Sequence, residues 1–600
     1  MRNFVTSMLG ALTALVVFFA GLCFFGILIL ILISAAAQKQ RETAFERGSY
    51  LVFDLDTNID DAPPQFDLGR FTGTQHVLQL RLVTQAIEEA KRDPRIAGIY
   101  ITGSLQPSGY GSSFAALREV RVALLDFRAS GKPVLAYLSD ADTRDYYLAS
   151  AASSITLDPY GMIFMPGLAA RPMFYTGFFE KFGIGVQVTR VGKYKSAVEP
   201  FIRKDLSPEN RVQLTSLLGD IWSGLLGDIA SSRKLQVPAI QELVDREGMI
   251  RPEAAKAAGL VDRIAYRDVV LDDLKSRTGR AGSRLPFKQV AMESYIPVAA
   301  TAARESFSKG KVAVVYAEGD IVDGEGEPNQ IGGDRFSREL RRLREDNSVK
   351  AVVVRVNSPG GSASAAETIQ REIRLLKKSK PVIISMGGYA ASGGYWISAY
   401  GTRIFAEPTT ITGSIGVFGL FFDVQKLAES LGFTFDSVKT GRFADSMTIT
   451  RPKTPAELAV IQRMIDWIYD QFVTKVSEGR KIDRATVEQI AQGRVWSGSQ
   501  ALKLRLVDQI GGLNDAIRYA GMSAGLGGHP ALMEYPQRKT LGEVMTELLH
   551  KVQPMSAHAA VDRSLVGQVT ARLNRGLSFL RSCNDPRGAY ARLPLEIQPR

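Results

Sequence analysis

The sequence predicts an α/β protein made of two tandem copies of one domain, which follow a single transmembrane helix. Three observations support this prediction: an internal repeat, short β-branched runs that alternate with helical patterns, and a long uncharged segment near the N-terminus. A chain of 600 residues is also too long for one hydrophobic core, so two or more domains are expected.

The repeat relates two halves of the chain that lie about 250 positions apart. The segment that begins at Tyr146 matches the segment that begins at Tyr395, and the match continues through three further pairs, Pro159 with Pro408, Gly167 with Gly416 and Gly192 with Gly441. We predict domains over residues 49–301 and 311–532, with VAATAARESFSKGK as a linker between them. A tail over residues 533–600 lies outside the repeat.

Each copy has the pattern of parallel strands joined by helices. Residues 311–316, 351–356 and 381–385 are short β-branched runs, as expected of buried parallel strands. Residues 365–378 carry apolar side chains at helical spacing. The order predicts βαβ units with right-handed crossovers.

The N-terminal region predicts a membrane anchor. After a short segment of residues 1–8, residues 9–33 are uncharged and mostly apolar, and a helix of that length would rise roughly 37 Å, enough to cross a bilayer. Residues 35–37 are three alanines that resemble a signal-peptide cleavage site, but the apolar run is longer than a signal peptide requires, so we expect a retained anchor. The flanking charges leave its orientation open.

Composition excludes several classes of function. The net charge is +12, but Lys and Arg are interleaved with acidic residues, so nucleic-acid binding is not expected. The chain has two cysteines and four histidines, which are too scattered for a zinc site. We therefore predict a mechanism without a metal or a cofactor.

The two copies differ where catalysis would need small residues. In the second copy a run of glycine, alanine and serine follows the strand 381–385, and it contains Ser392 and Gly393. In the first copy the repeat places Thr143 and Arg144 at these positions. Small residues after a strand allow a sharp turn that exposes a hydroxyl at the start of a helix.

The reverse difference concerns a lysine. Lys195 of the first copy aligns with Ala444 of the second. A serine needs a base to become a nucleophile, and a desolvated lysine can act as one. None of the four histidines lies in a glycine-rich or strand-end context, so a Ser-His-Asp triad is poorly supported. We expect one composite site per chain, with Ser392 as nucleophile and Lys195 as base, although Lys193 is a nearby alternative.

Two further loops complete the candidate site. Residues 357–362 (NSPGGS) follow a predicted strand and offer backbone N–H groups, which with the N–H of Gly393 could form an oxyanion hole. Residues 412–416 (TGSIG) contain Ser414, which could hold the lysine in place. Each motif alone is an ordinary turn or a surface lysine, so the prediction depends on their combination.

These motifs resemble the bacterial signal peptide peptidase A family, also called protease IV, in its long double-domain form. The resemblance covers nearly the whole chain through YKSAVEPF, RVNSPGGS, MGGYAASGGYW, TGSIGVFG and the C-terminal NDPRGAY. It implies two ClpP/crotonase-like domains of repeated ββα units and Ser–Lys catalysis by Ser392 and Lys195. It also implies oxyanion donors at Gly361 and Gly393, and a lysine-orienting role for Ser414.

The resemblance further implies a homotetramer in the bacterial inner membrane, with its catalytic part in the periplasm. The implied substrates are signal peptides already released from preproteins. Two alternatives remain open at this point: a crotonase-like acyl-CoA enzyme, which would need neither Lys195 nor an anchor, and a non-catalytic membrane scaffold.

Overall fold

The computed structural model describes residues 45–63, 76–303, 310–536 and 582–593, and a few isolated positions between residues 10 and 25. The predicted anchor over residues 9–33 lies outside the continuously described parts. No helix in these described parts has both the length and the apolar character needed to cross a bilayer.

The first copy contains twelve strands and ten α-helices among the described residues. The strands are β1 (Ser49–Asp54), β2 (Thr57–Asp60), β3 (His76–Gln79), β4 (Ile96–Thr102), β5 (Val134–Leu138), β6 (Ala141–Asp142), β7 (Ser154–Leu157), β8 (Ile163–Phe164), β9 (Gly185–Val191), β10 (Met249–Ile250), β11 (Arg263–Ile264) and β12 (Gln289–Ala291). The helices are α1 (Leu80–Arg92), α2 (Phe114–Ala129), α3 (Thr143–Ala149), α4 (Thr176–Lys181), α5 (Glu199–Ile202), α6 (Pro208–Arg233), α7 (Val237–Glu247), α8 (Pro252–Ala257), α9 (Arg267–Arg277) and α10 (Met292–Ala303).

The second copy repeats this alternation and ends with a strand close to the C-terminus. Its strands are β13 (Lys311–Glu318), β14 (Ile321–Val322), β15 (Ile331–Gly332), β16 (Val349–Ser358), β17 (Gly360–Ser362), β18 (Val382–Ala391), β19 (Arg403–Ala406), β20 (Ile411–Gly413), β21 (Val417–Asp423), β22 (Val495–Ser497), β23 (Gln509–Ile510), β24 (Ala531–Tyr535) and β25 (Ala589–Arg592). Its helices are α11 (Gly333–Glu345), α12 (Ala363–Lys377), α13 (Gly393–Ser398), α14 (Gln425–Ser430), α15 (Pro455–Arg480), α16 (Arg484–Ile490), α17 (Gly498–Lys503) and α18 (Leu513–Ser523).

The main sheets of the two copies have the same strand order. The first sheet runs β11-β7-β5-β4-β1-β12, and the second contains the equivalent series β23-β19-β18-β16-β13-β24. Both series are parallel, as the β-branched runs predict. Two matched tyrosines make the same contact, because Tyr146 donates to the carbonyl of Leu260 and Tyr395 to that of Leu506. The mixed α/β fold and its duplication are therefore confirmed.

Three details of the sequence prediction need correction. The strand that begins near residue 381 continues through the glycine-rich run to Ala391, because its inner positions are buried on both faces. Helix α10 extends to Ala303, so the predicted linker begins as a helix. The predicted boundary at residue 532 falls inside β24, which pairs with β13 in parallel.

A third sheet joins the two copies and the C-terminus. Its order is β15-β14-β17-β25-β21-β9, so strand β9 of the first copy lies antiparallel to β21 of the second. This pairing extends from Val191 against Val417 to Gly185 against Asp423. Lys195 follows shortly after the end of β9 at Val191. The pairing of β9 with β21 therefore places Lys195 against the second copy.

A buried ion cluster also fastens the copies together. The guanidinium of Arg355 lies 2.7 Å from a carboxylate oxygen of Asp61 and 2.7 Å from one of Glu119. Arg355 belongs to the second copy and both acids belong to the first, and all three side chains are buried. Separating the copies would expose or unpair these charges, which is costly for buried ions.

Candidate active site

Ser392 lies at the junction between β18 and α13. Its backbone has φ 55° and ψ −112°, a conformation that is unusual for a residue with a side chain and costs on the order of 1–3 kcal/mol. Two backbone hydrogen bonds stabilise this conformation. The Ser392 N–H donates to the carbonyl of Gly413, and the N–H of Trp396 donates to the carbonyl of Ser392. The hydroxyl does not cap α13, so it remains available for another partner.

That partner is the amine of Lys195. The Nζ atom lies 2.7 Å from Ser392 Oγ, and it lies 3.1 Å from both the carbonyl oxygen and the hydroxyl oxygen of Ser414. Lys195, Ser392 and Ser414 are all fully buried. The structure thus brings together three residues that the sequence analysis selected from both copies.

The lysine has an environment that favours its neutral form. Burial lowers the pKa of Lys195 well below its usual value, because the charged ammonium loses its solvation. Within the described residues no carboxylate forms an ion pair with this amine, so no opposite charge offsets that loss. A neutral amine has two N–H groups and one lone pair. The N–H groups match the Ser414 oxygens and Ser392 Oγ as acceptors, and the Ser392 hydroxyl, which also lies 3.4 Å from the carbonyl oxygen of Gly416, can turn to donate to the lone pair.

Three glycines allow the backbone to pack around Lys195. Gly493, with φ +77°, lies so close that a methyl group there would be 2.6 Å from the Lys195 amide nitrogen. A methyl group on Gly416 would lie 3.1 Å from the lysine Cδ, and one on Gly192 would overlap the backbone of Gln492. Sequence analysis noted Gly192 only as a repeat match and Gly416 as a repeat match at the end of the TGSIG loop, and it did not identify Gly493.

Gln213 is a second residue that sequence analysis missed. Its side-chain amide donates to the carbonyl of Tyr194 at 3.1 Å and to the hydroxyl of Ser196 at 2.9 Å, on either side of the lysine. Its oxygen accepts the N–H of Val495 in strand β22 of the other copy. Gln213 therefore fixes the lysine loop against the second domain. A glutamine inside a long helix gives no sequence signal for such a role.

The two predicted oxyanion glycines lie side by side. A methyl group on Gly393 would be 3.2 Å from the amide nitrogen of Gly361, and one on Gly360 would be 2.7 Å from the amide nitrogen of Gly393. Gly361 is the middle residue of β17, whereas Gly393 is the first residue of α13 and follows Ser392 directly. Two backbone amide nitrogens therefore lie close together next to the serine, a place where N–H groups could stabilise an oxyanion.

A buried serine in contact with a buried lysine whose pKa is lowered is the arrangement expected of a serine hydrolase. The model of peptidase family S49 matches this chain twice, over residues 126–279 and 374–527. The Clp protease family model also matches residues 315–412. The chain belongs to peptidase family S49 and is a serine peptidase.

Several curated proteins are similar over most of the chain. Protease 4 of Salmonella typhi is 35% identical over 530 residues, which cover 85% of this chain and 82% of that protein. Protease 4 of Haemophilus influenzae is 32% identical and covers 94% of each chain. The chloroplastic serine protease SPPA of Arabidopsis thaliana is 33% identical over 80% of this chain and 70% of its own length. The predicted resemblance is confirmed, and it favours peptide hydrolysis over acyl-CoA chemistry or a scaffold role.

Proposed function

We propose that this serine peptidase is a membrane-anchored endopeptidase that degrades released signal peptides, with Ser392 as its nucleophile and Lys195 as its general base. The observation that carries the proposal is the 2.7 Å contact between Lys195 Nζ and Ser392 Oγ, made by an amine whose pKa is strongly lowered by burial. A base is most effective when its pKa lies near the working pH.

The first half-reaction forms an acyl-enzyme. Ser392 Oγ attacks the carbonyl carbon of the peptide while its proton passes to the neutral amine of Lys195. The negative charge that develops on the carbonyl oxygen is stabilised by the N–H groups of Gly361 and Gly393. The lysine ammonium, held by both oxygens of Ser414, then gives its proton to the departing amine, and the C–N bond breaks.

The second half-reaction repeats these transfers with water. Lys195, neutral again, accepts a proton from water as the water oxygen attacks the ester carbon. The resulting ammonium returns the proton to Ser392 Oγ when the C–O bond breaks. Each cycle consumes one water and leaves the enzyme unchanged, so the mechanism needs no metal.

The third sheet supports the choice of an extended peptide as substrate. Strands β17 and β21 both pair with one extended segment of the chain, β25, so this place in the sheet accepts an extended backbone through main-chain hydrogen bonds on both sides. Signal peptides are short, apolar and unfolded once released. A relative from Enterococcus faecium, 38% identical over 36% of this chain, is named a putative signal peptide peptidase, and that name supports the same substrate class.

The anchor and the assembly are part of this proposal. Residues 34–48 would tether the domains within roughly 50 Å of the bilayer even when fully extended, and apolar peptides collect there. We assign the catalytic domains to the periplasmic face of the inner membrane. We propose a homotetramer, and exposed apolar side chains, including Phe178, Phe182, Leu431 and Phe433, support self-association.

The test uses the purified full-length protein in detergent. We expect it to hydrolyse synthetic signal peptides and to spare folded soluble proteins, whereas the Ser392→Ala variant should hydrolyse neither. Rapid cleavage of folded proteins without cleavage of signal peptides would contradict the proposed substrate. A reporter fused after Arg600 should be active only in the periplasm, and cytoplasmic activity would contradict the proposed location.

A further inference from the structure

Glu199 is a buried carboxylate that directly follows the lysine loop, which we define as residues 192–198. Among the described residues its side chain makes hydrogen bonds, and no lysine or arginine forms an ion pair with it. A buried charge without a counter-ion is costly unless hydrogen bonds stabilise it. We propose that Glu199 is a positioning residue, which holds the proposed base Lys195 in place through the start of helix α6. This inference rests on the proposed function, because it concerns the base of that mechanism.

The carboxylate of Glu199 accepts three hydrogen bonds from the start of α6. The hydroxyl of Ser207 donates to one oxygen at 2.5 Å. The N–H of Ser207 at 3.3 Å and the side-chain amide of Asn210 at 2.9 Å donate to the other oxygen. Ser207 and Asn210 are buried as well, so removal of the carboxylate would leave buried donors without a partner.

A chain of side-chain amides continues from this carboxylate to the lysine loop. Because the amide nitrogen of Asn210 donates to Glu199, its oxygen faces the other way and accepts from Gln213 at 3.0 Å. The same Gln213 amide donates to the carbonyl of Tyr194 and to the hydroxyl of Ser196, on either side of the proposed base. An ionised carboxylate can only accept, so it fixes the direction in which these amides are turned.

The second copy starts the equivalent helix without such a link. Helices α6 and α15 both have 26 residues and follow the N-caps Ser207 and Thr454. In α15 the N–H of Thr454 donates to Glu457 of the helix itself, which completes a capping box. In α6 the matching position is Asn210, and the N–H of Ser207 donates to Glu199 instead. The first copy therefore takes its capping carboxylate from the segment that carries the proposed base.

Glu199 acts on the position of the amine rather than through its charge. Burial alone lowers the pKa of Lys195, and no carboxylate contributes to that shift. Among the described residues the amine contacts Ser392 and Ser414. A fixed loop keeps the amine out of water and against the hydroxyl, and a displacement of about 1 Å in an active site can cost about 10²-fold in rate.

The first test compares Glu199→Leu with the conservative variant Glu199→Gln in the full-length protein. Leucine has a similar size but accepts no hydrogen bond, so we expect kcat per labelled active site to fall about tenfold while KM changes less than about twofold. Glutamine keeps one oxygen that can accept from Ser207 and Asn210, so its kcat should stay within about twofold of the wild type.

The pH dependence of Ser392 labelling by a fluorophosphonate separates positioning from a role in folding. A loosened loop admits water to Lys195, so its pKa should rise towards the ordinary value and the acidic limb should move to higher pH in Glu199→Leu. Glu199→Gln should keep the wild-type curve. A variant that is only less stable would label fewer sites without a shift of the curve.

Glu457→Leu is the matched control, because it removes the equivalent cap in the copy that does not supply the lysine. Glu457 is buried, and it also pairs with Arg451. We expect this variant to have a lower Tm than the wild type, with the same kcat per labelled site and the same labelling curve.

A second test breaks the next link and does not depend on the folding of Glu199→Leu. Asn210→Ala leaves the carboxylate with Ser207 but removes its connection to Gln213. We expect the same shift of the labelling curve to higher pH. Combined with Gln213→Leu it should lower kcat no further than Gln213→Leu alone, because both changes interrupt one chain.

The outcomes distinguish this inference from the proposed function. An unshifted curve in Glu199→Leu or in Asn210→Ala, with Ser392 still labelled, would mean that Glu199 only caps a helix and would overturn the inference alone. A shift to lower pH in Glu199→Gln would show that the carboxylate acts through its charge, which also overturns it. No labelling of Ser392 in the wild type would contradict the proposed function, and the inference would fall with it.

Discussion

The N-termini of helices α3 and α13 occupy equivalent places in the two copies but use their backbone N–H groups differently. In the first copy the carboxylate of Asp142 caps α3, and it accepts the N–H groups of Arg144 at 2.7 Å and of Asp145 at 2.9 Å. In the second copy Ser392 makes no side-chain cap. The helix end is therefore capped by a side chain in the first copy, whereas in the second copy the proposed mechanism uses it to stabilise an oxyanion.

The lysine shows the opposite asymmetry. In the first copy, β9 pairs with β21 and leads into the buried Lys195. In the second copy the corresponding stretch around Ala444 forms no strand and carries several exposed apolar side chains. In the proposed mechanism each copy therefore supplies one half of the chemistry. On that mechanism we expect neither domain to hydrolyse a peptide alone.

The largest effect should come from removing the hydroxyl in the second copy. We expect Ser392→Ala to reduce kcat/KM for a signal peptide about 10⁴-fold or more, because the acyl-enzyme can no longer form. The equivalent change in the first copy, Thr143→Ala, should alter activity less than about twofold. Activity above about 1% in Ser392→Ala would show that another group is the nucleophile.

Removing the amine of Lys195 should reduce activity almost as severely, and it should also change the pH dependence of stability. We expect Lys195→Met to lower kcat about 10³-fold or more, while the exposed Lys193→Met keeps normal activity. The folded state binds fewer protons than the unfolded state between the lowered pKa of Lys195 and its ordinary value, so stability rises with pH across that window.

Thermal unfolding checks this second expectation. Lys195→Met removes the buried amine, so we expect its Tm below the ordinary lysine pKa to be higher than that of the wild type, with a weaker dependence on pH. A lower Tm at every pH would mean that the lysine stabilises the fold, and a similar loss of activity in Lys193→Met would point to a general electrostatic effect.

Ser414→Ala should have an intermediate effect. The change removes one of the two Ser414 oxygens that accept from Lys195, and we expect a fall in kcat of about 10- to 100-fold. Because the ammonium loses an acceptor, the pKa of Lys195 should fall further and the acidic limb of the pH–rate profile should move to lower pH. Ser398→Ala removes another buried hydroxyl nearby and should leave that profile unchanged. A shift towards higher pH in Ser414→Ala would contradict the assigned contact.

Gln213→Leu should have the smallest effect of the four. The glutamine bridges the lysine loop and strand β22, so its loss should lower kcat about 5- to 20-fold and reduce the free energy of unfolding by about 1–3 kcal/mol. Gln241→Leu, a partly buried glutamine on the neighbouring helix, should cost less. Equal activity of the two variants would show that the bridge is not needed for catalysis.

The sequence predicted the repeat, the parallel strands and the pairing of Ser392 with Lys195, because each leaves a local or periodic signal. It did not predict that the strand before Ser392 runs on to Ala391, since glycine and alanine usually indicate a turn. The insertion of β25 was also missed. A four-residue strand that pairs with partners about 170 and 230 positions away has no local pattern to reveal it.

The most direct test of the composite site is the pH dependence of Ser392 labelling by a fluorophosphonate in the full-length protein, because labelling needs only the activated hydroxyl. We predict a rate that rises with pH through an apparent pKa well below the ~10.4 of a free lysine. The same curve should appear in Lys193→Met and be absent in Lys195→Met. An unchanged curve in Lys195→Met would contradict the account, because the base would then lie elsewhere.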